Sequence, residues 1–266
     1  VVGAALAVVA PAEGRTLMSD LAELNVTPAV LLSVNLSLAL MIPITFLVIR
    51  VLHGMRPRWL SSVRPGLRWR LLGQFIGLGV VATVLFSLLL GLTVSREAIV
   101  GESPGSVSAG TTVAYLAIIV LTSPLQAAGE EYVFRGYLMQ AFGSLVSNRW
   151  FTLLLTSLLF AVAHGTQNLP LFTDRFLFGL VAGMLVIYTG GLEAGIGLHI
   201  VNNVVALGLA AATGSVSETL NVSEATWELL LIDIGQLLLF YVLVVLWTRH
   251  KGFRTRTTGP PAAARA

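Results

Sequence analysis

At 266 residues, with 56% hydrophobic and only 11% charged residues and a net charge of +3, the chain departs from soluble domains, which carry roughly 25% charged residues. A mean hydropathy of +0.86 excludes an ordinary water-soluble globule, and the lack of any cysteine excludes disulfides and thiolate chemistry. The composition predicts an all-α, polytopic transmembrane helical bundle, because a backbone in lipid must satisfy its own hydrogen bonds and nothing alternates as barrel strands do.

In chain order, residues 1–27 are an N-terminal segment expected to be partly disordered. Its opening, VVGAALAVVAPAEG, is apolar but follows no basic stretch and is too short to span. The start codon, at Val1 or at Met18, stays open. Apolar segments follow at about 28–53, 71–94, 111–127, 128–146, 150–165, 175–189, 192–213 and 227–248. They predict seven or eight membrane segments in one domain, 28–248, with a kink at Pro43. Polar loops separate the second from the third (VSREAIVGESPGSVSAG) and the seventh from the eighth (TGSVSETLNVSEAT). Residues 249–266 read as a basic, disordered tail.

Arg50, Arg56, Arg58, Arg64, Arg68 and Arg70 fall in or beside the loop 54–70, and Arg249, Lys251, Arg254 and Arg256 follow the last apolar run. Positive residues stay on the cytoplasmic side, so both stretches are expected there, in a plasma membrane. No nucleic-acid-binding fold accompanies these charges. Eight full crossings would put the loop and the tail on opposite sides, so an odd number is required. The segment 128–146 is the candidate for a partial or interfacial element, because it carries the charges.

That segment opens with AGEEYVFRGY. Charged groups inside apolar segments face a protein interior or a water-filled cavity. Glu131 and Arg135 are four residues apart, on one helix face, and are expected to pair. Glu130 points about 100° away, at 3.6 residues per turn, and is left to face something else. A network that only packs helices together is the plainer alternative. Of the four histidines, His53 and His250 lie in basic helix ends and are expected to be solvated. His164 ends the apolar run TSLLFAVAHG, and His199 lies in GIGLHIVNNV with Asn203 one turn on. Asn202 points away from the His199 face. The glycines of GGLEAGIGLH, residues 190–199, suit close helix packing, and the stretch GTQNLPLFTDR after His164 is a candidate site entrance.

A carboxylate, two imidazoles and an amide suit two chemistries. Glu130, His164, His199 and Asn203 could hold a divalent metal such as zinc, which activates water and polarises a carbonyl. Alternatively, Glu130 and His164 activate water without metal, while His199 and Asn203 donate to an oxyanion. Both hydrolyse an acyl bond, and the HExxH pattern of zincins is absent.

These residues resemble the CAAX protease and bacteriocin-processing family, also called the ABI or type II CAAX prenyl protease family. Its EExxxR motif is matched by Glu130, Glu131 and Arg135, followed by Gly136; FxxxH by Phe160 and His164; HxxxN by His199 and Asn203. The resemblance covers about residues 110–210. It implies an intramembrane protease, of metallo- or glutamate-type, that acts on a membrane-associated peptide or protein. Glu130 would be the base, and His164, His199 and Asn203 the other site residues. Eukaryotic relatives trim prenylated CaaX proteins, and bacterial ones are linked to bacteriocin or peptide processing and self-immunity. Nothing in this chain signals a prenylated substrate. A catalytically silent immunity or scaffold protein of the same fold is the alternative, and a transporter with a buried charge relay a further one. The complete set of four site residues favours the enzyme over the first, and the lack of an inverted repeat counts against the second.

Overall fold

The computed structural model describes residues 11–91 and 107–257. Every named element among them is helical; the one β-type pairing is an isolated bridge between Ser62 and Gly191. Helix α1 covers Pro11–Ala22, α2 Pro28–Ala39, α3 Met41–His53 and α4 Trp69–Gly91. Helix α5, Ala109–Glu131, continues through a π-helical stretch, Tyr132–Leu138, into α6, Met139–Leu145. Then come α7 Arg149–Val162, α8 Leu169–Thr189, α9 Glu193–Thr213, α10 Val216–Leu220 and α11 Trp227–Lys251.

Local chemistry sets several of these boundaries. Thr27 caps α2 by accepting from the Val30 amide at 3.4 Å, with Pro28 at the first helical position. The break at Leu40 between α2 and α3 is the expected Pro43 kink. The proline has no N–H for the Ala39 carbonyl four residues back, and its ring crowds it. Asn148 caps α7 through the Trp150 and Phe151 amides. Asn168 caps α8 through Leu171 and also ties its start to Ala225.

Six of these helices or helix pairs are long and apolar enough to cross a membrane, and α7 is a shorter apolar one. The segments expected at 111–127 and 128–146 are one rod, Ala109–Leu145. No partial element separates them, because the charges near its middle are neutralised within the bundle and need no exit to water. At 1.5 Å per residue the rod's 37 residues extend about 55 Å, beyond the roughly 30 Å of hydrocarbon.

The connections fall at two ends. At one end the Val63 amide donates to the Gly190 carbonyl at 2.9 Å, and the Leu192 amide to Ser61 at 2.8 Å. Arg68 there reaches Glu193 at 2.6 Å, the Thr189 carbonyl and the Arg254 carbonyl. At the other end the Val26 amide meets Ser217 Oγ, Asn221 reaches the Leu24 carbonyl, and the Asn168 amide reaches Ser223. Counting α7 as a pass, the crossings are odd in number. The loop after α3 and the residues after α11 therefore share one end, which removes the parity conflict.

Residues 11–27 and 249–257, within the two stretches expected to be wholly or partly disordered, are ordered. In the N-terminal segment, α1 buries Leu17, and Val26 joins the same apolar cluster as Leu31, Ile119 and Ala211. In the tail, α11 runs to Lys251 and Phe253 stacks edge-on with Phe75 at 6.2 Å. Aromatic burial and the Arg68 bond hold residues 253–254 down. Residues 1–10, 258–266 and most of the loop after α4 lie outside the described residues.

Helices α4, α8, α9 and α11 pack around Phe75, Leu185, Leu198, Phe240 and Val244. Glycine permits the closest approach. A Cβ on Gly197 would lie 3.2 Å from Phe75, and one on Gly79 would lie 2.9 Å from Val201. Without a hydrophobic drive between helices in lipid, such close van der Waals contact holds the bundle. Large apolar side chains such as Leu47, Val51, Leu88, Leu121 and Leu231 face outward, as a lipid-facing surface requires.

Candidate active site

Glu130 and Glu131 end α5, just before the π-helical stretch that carries Arg135. Such stretches recur at functional sites, because the wider turn re-aims the side chains that follow it. Arg135 Nη1 donates to Glu131 Oε1 at 2.9 Å, and both residues are buried. The guanidinium also lies over the Phe160 ring, 4.3 Å from its centroid, a cation–π contact in a desolvated place. The expected Glu131–Arg135 pair is therefore present.

Glu131 does more than pair with Arg135. Its Oε1 also accepts from His199 Nδ1 at 3.0 Å. With the proton on Nδ1, Nε2 carries a lone pair, and it faces Glu130 Oε2 at 3.8 Å. Glu130 does face elsewhere, as the helical spacing predicts. Its Oε1 accepts from Gln126 Nε2 at 2.6 Å, while its buried Oε2 has no hydrogen-bond partner among the described residues. Gln126 in turn accepts from Asn203 Nδ2 at 2.8 Å.

These groups line a cavity of about 240 Å³ between the helices. Glu130, His164, His199, Asn203, Phe160 and Phe178 all contribute to its wall. Phe178 stands edge-on to the His199 ring at 5.0 Å, and Phe160 does so at 6.0 Å. His164 stands in the turn after α7, exposed on one side, with Nδ1 2.8 Å from the Phe160 carbonyl. The cavity brings Glu130, His164, His199 and Asn203 together. Glu131 and Arg135 stand behind it.

Gln126, Phe178 and Arg175 were missed from the sequence. Gln126 had a signal: it sits one helical turn before Glu130. Arg175 lines the cavity from α8, at the end of the stretch expected to form the entrance. Asn202 also lines it, with a bond of 3.4 Å to Asn203, although it lies off the His199 face.

Among the described residues no three His, Cys, Asp or Glu side chains converge on a point that could hold a metal ion. Glu130 and His199 face each other, and His199 gives its other nitrogen to Glu131. The His, Asp and Glu side chains as arranged do not by themselves make up a site for a divalent ion.

Residues 112–205 match the sequence model of the family described as type II CAAX prenyl endopeptidase, Rce1-like. The chain is similar to the uncharacterized protein YyaK of Bacillus subtilis (strain 168), 36% identical over 94 residues, which cover 33% of this chain and 31% of that protein. It is also similar to an uncharacterized 24.3 kDa protein of Escherichia coli, 38% identical over 86 residues, covering 32% of this chain and 38% of that one. The matched stretch thus spans about a third of each relative. No solved structure matches. The matched residues hold all three motifs and the π-helical stretch, and over them the chain is similar to the Rce1-like, type II CAAX prenyl endopeptidase family.

Proposed function

We propose that the protein is an intramembrane endopeptidase that hydrolyses a peptide bond of a membrane-associated protein or peptide, with Glu130 activating the water. The observation that carries this reading is the unpaired Glu130 Oε2, held 3.8 Å from His199 Nε2 inside the cavity. A water between these acceptors would give one proton to each as hydrogen bonds.

Glu130 takes a proton from that water as its oxygen bonds to the scissile carbonyl carbon. Gln126 holds Oε1 and so aims Oε2. His199 positions the water, and Glu131 fixes the ring and its tautomer. Amide N–H groups of Asn202 and Asn203, which line the cavity, can donate to the developing oxyanion. When the C–N bond breaks, protonated Glu130 returns its proton to the leaving nitrogen. His164, at the mouth, is a polar contact for the substrate backbone.

The basic end of the bundle is assigned to the cytoplasm by its arginines. The cavity wall includes Thr219 and Leu220 of the opposite loop, so substrate would enter from the non-cytoplasmic side or laterally from the lipid. Bacteriocin or signal-peptide-like substrates fit such access; a prenyl group has no assigned pocket.

The test uses the purified full chain in detergent with a mixture of membrane peptides in 18O-labelled water. New C-termini carrying 18O are expected with wild type and not with Glu130→Gln. Cleavage that survives Glu130→Gln overturns the assignment of the base. If wild type and the variant are equally silent towards every peptide, while both bind one partner, the silent scaffold becomes the better reading.

A further inference from the structure

At the basic end of the bundle lies a second cavity, of about 440 Å³, between the start of α7, the end of α8 and the end of α11. It does not overlap the cavity that holds Glu130. Arg149, Arg249 and Arg256 line it, and no carboxylate does. Among the described residues none of the three forms an ion pair. Three guanidiniums around one space, without a counter-charge, favour an anion.

Two further observations point to a ligand. Thr248 lines the cavity and is 6% exposed, and its Oγ1 is buried without a hydrogen-bond partner. A buried hydroxyl without a partner is destabilising, and a ligand oxygen would supply one. Arg149 occupies the first position of α7, where the helix dipole disfavours a cation and favours an anion. Its own position is therefore unfavourable unless an anion shares the place. Most of the remaining wall is apolar or aromatic, with Trp150, Met184, Ile187, Tyr241 and Phe253. A free inorganic ion has no use for such a wall, whereas the glycerol backbone and upper acyl chain of a lipid would pack on it. Trp and Tyr also collect at the headgroup level of membranes.

We propose that this cavity binds the phosphate headgroup of an anionic phospholipid, with Arg149, Arg249 and Arg256 as counter-charges and the Thr248 hydroxyl as donor. The site is separate from the peptidase reading and does not depend on it.

The experiment is native mass spectrometry and thermal melting of the full chain in detergent, with phosphatidylglycerol, phosphatidylcholine, glycerol 1-phosphate or inorganic phosphate added singly. Phosphatidylglycerol is expected to bind about tenfold or more tightly than phosphatidylcholine, and to raise the melting temperature. Arg149→Gln/Arg249→Gln should lose that preference. Arg50→Gln/Arg58→Gln, which removes the same charge at the same end outside the cavity, should keep it. Thr248→Val keeps the shape, and should weaken phosphatidylglycerol binding several-fold without lowering the melting temperature of the lipid-free protein. Equal losses in the two arginine double variants would mean that only general surface charge is read, and would overturn the proposal. So would a full stabilising effect from inorganic phosphate or glycerol 1-phosphate alone, which would assign the cavity to a soluble anion.

Discussion

His199 Nδ1 lies 3.0 Å from Glu131 Oε1, and this single contact ties the first and third motifs together. It makes Glu131, through Oε1, the shared partner of an arginine and a histidine, a positioning role beside Glu130. Glu131→Gln should therefore fail twice. It leaves the Arg135 charge buried and uncompensated, a loss of about 3–5 kcal/mol, and it loosens the His199 ring. The expected result is a lower melting temperature together with reduced turnover. Glu130→Gln keeps the size of the side chain and an oxygen for the Gln126 bond, so turnover should vanish while the melting temperature holds within a few degrees. If both variants melt as wild type does, Glu131 has no separate structural role.

The pairing of Glu131 with Arg135 was legible in the sequence because four residues make one helical turn. So was the separate direction of Glu130. The bond from Glu131 to His199 was not, because it joins α5 to α9 across 68 residues, and no periodicity reports which faces of two buried helices meet. The continuity of α5 through α6 was hidden by the charges themselves. A charged patch in a hydropathy pattern looks like an interruption, and only the neighbouring arginine, histidine and glutamine show that it can remain inside. The proline break at Leu40 was readable because its cause is local. The ordered residues after α11 were not, since a basic tail carries no signal of the core that receives Phe253.

Gln126 bridges Glu130 and Asn203 with bonds of 2.6 and 2.8 Å. It touches neither water nor peptide in the proposed reaction, so it acts by holding the base. Gln126→Leu should lower kcat roughly 10- to 100-fold, at or below the lower end of the range for general-base effects because the base itself remains, and leave KM nearly unchanged. Gln126→Glu should be worse, since a second carboxylate would face Glu130 in place of a donor. Steady-state kinetics on any cleaved peptide give the kcat and KM split. A change confined to KM would place Gln126 on the substrate side.

Because no three ligands converge in the cavity, activity is expected to survive exhaustive chelation, and the purified protein should contain well under one equivalent of zinc or another divalent ion. Elemental analysis beside an activity assay measures both. Loss of activity on chelation, restored by one equivalent of metal, would show that His164 moves inward to complete a site.

Topology is checked by reporter fusions after residues 60, 222 and 255. The inter-helix bonds at the two ends require 60 and 255 to report the same side, and 222 the other. With the arginines at the first two positions, that shared side should be the cytoplasm. A split between 60 and 255 would mean that α7 does not cross.

Gly129 sits beside Glu130, where a Cβ would collide with the Leu38 carbonyl near the break between α2 and α3. The backbone of α2 cannot yield as a side-chain tip would. Gly129→Ala must push α2 and α5 apart, at a cost of about 1–3 kcal/mol for overpacking, and the shift falls on the residue that carries the base. Gly143 in α6 offers a control in the same rod, since a Cβ there meets nothing within 4 Å. Gly143→Ala should be neutral or stabilising by up to about 1 kcal/mol, the helix-propensity gain of alanine over glycine. Melting curves of both variants in one detergent read the difference, and turnover should fall in Gly129→Ala alone. Equal melting of the two would show that α2 is free to move away from Glu130, as an entry gate would be.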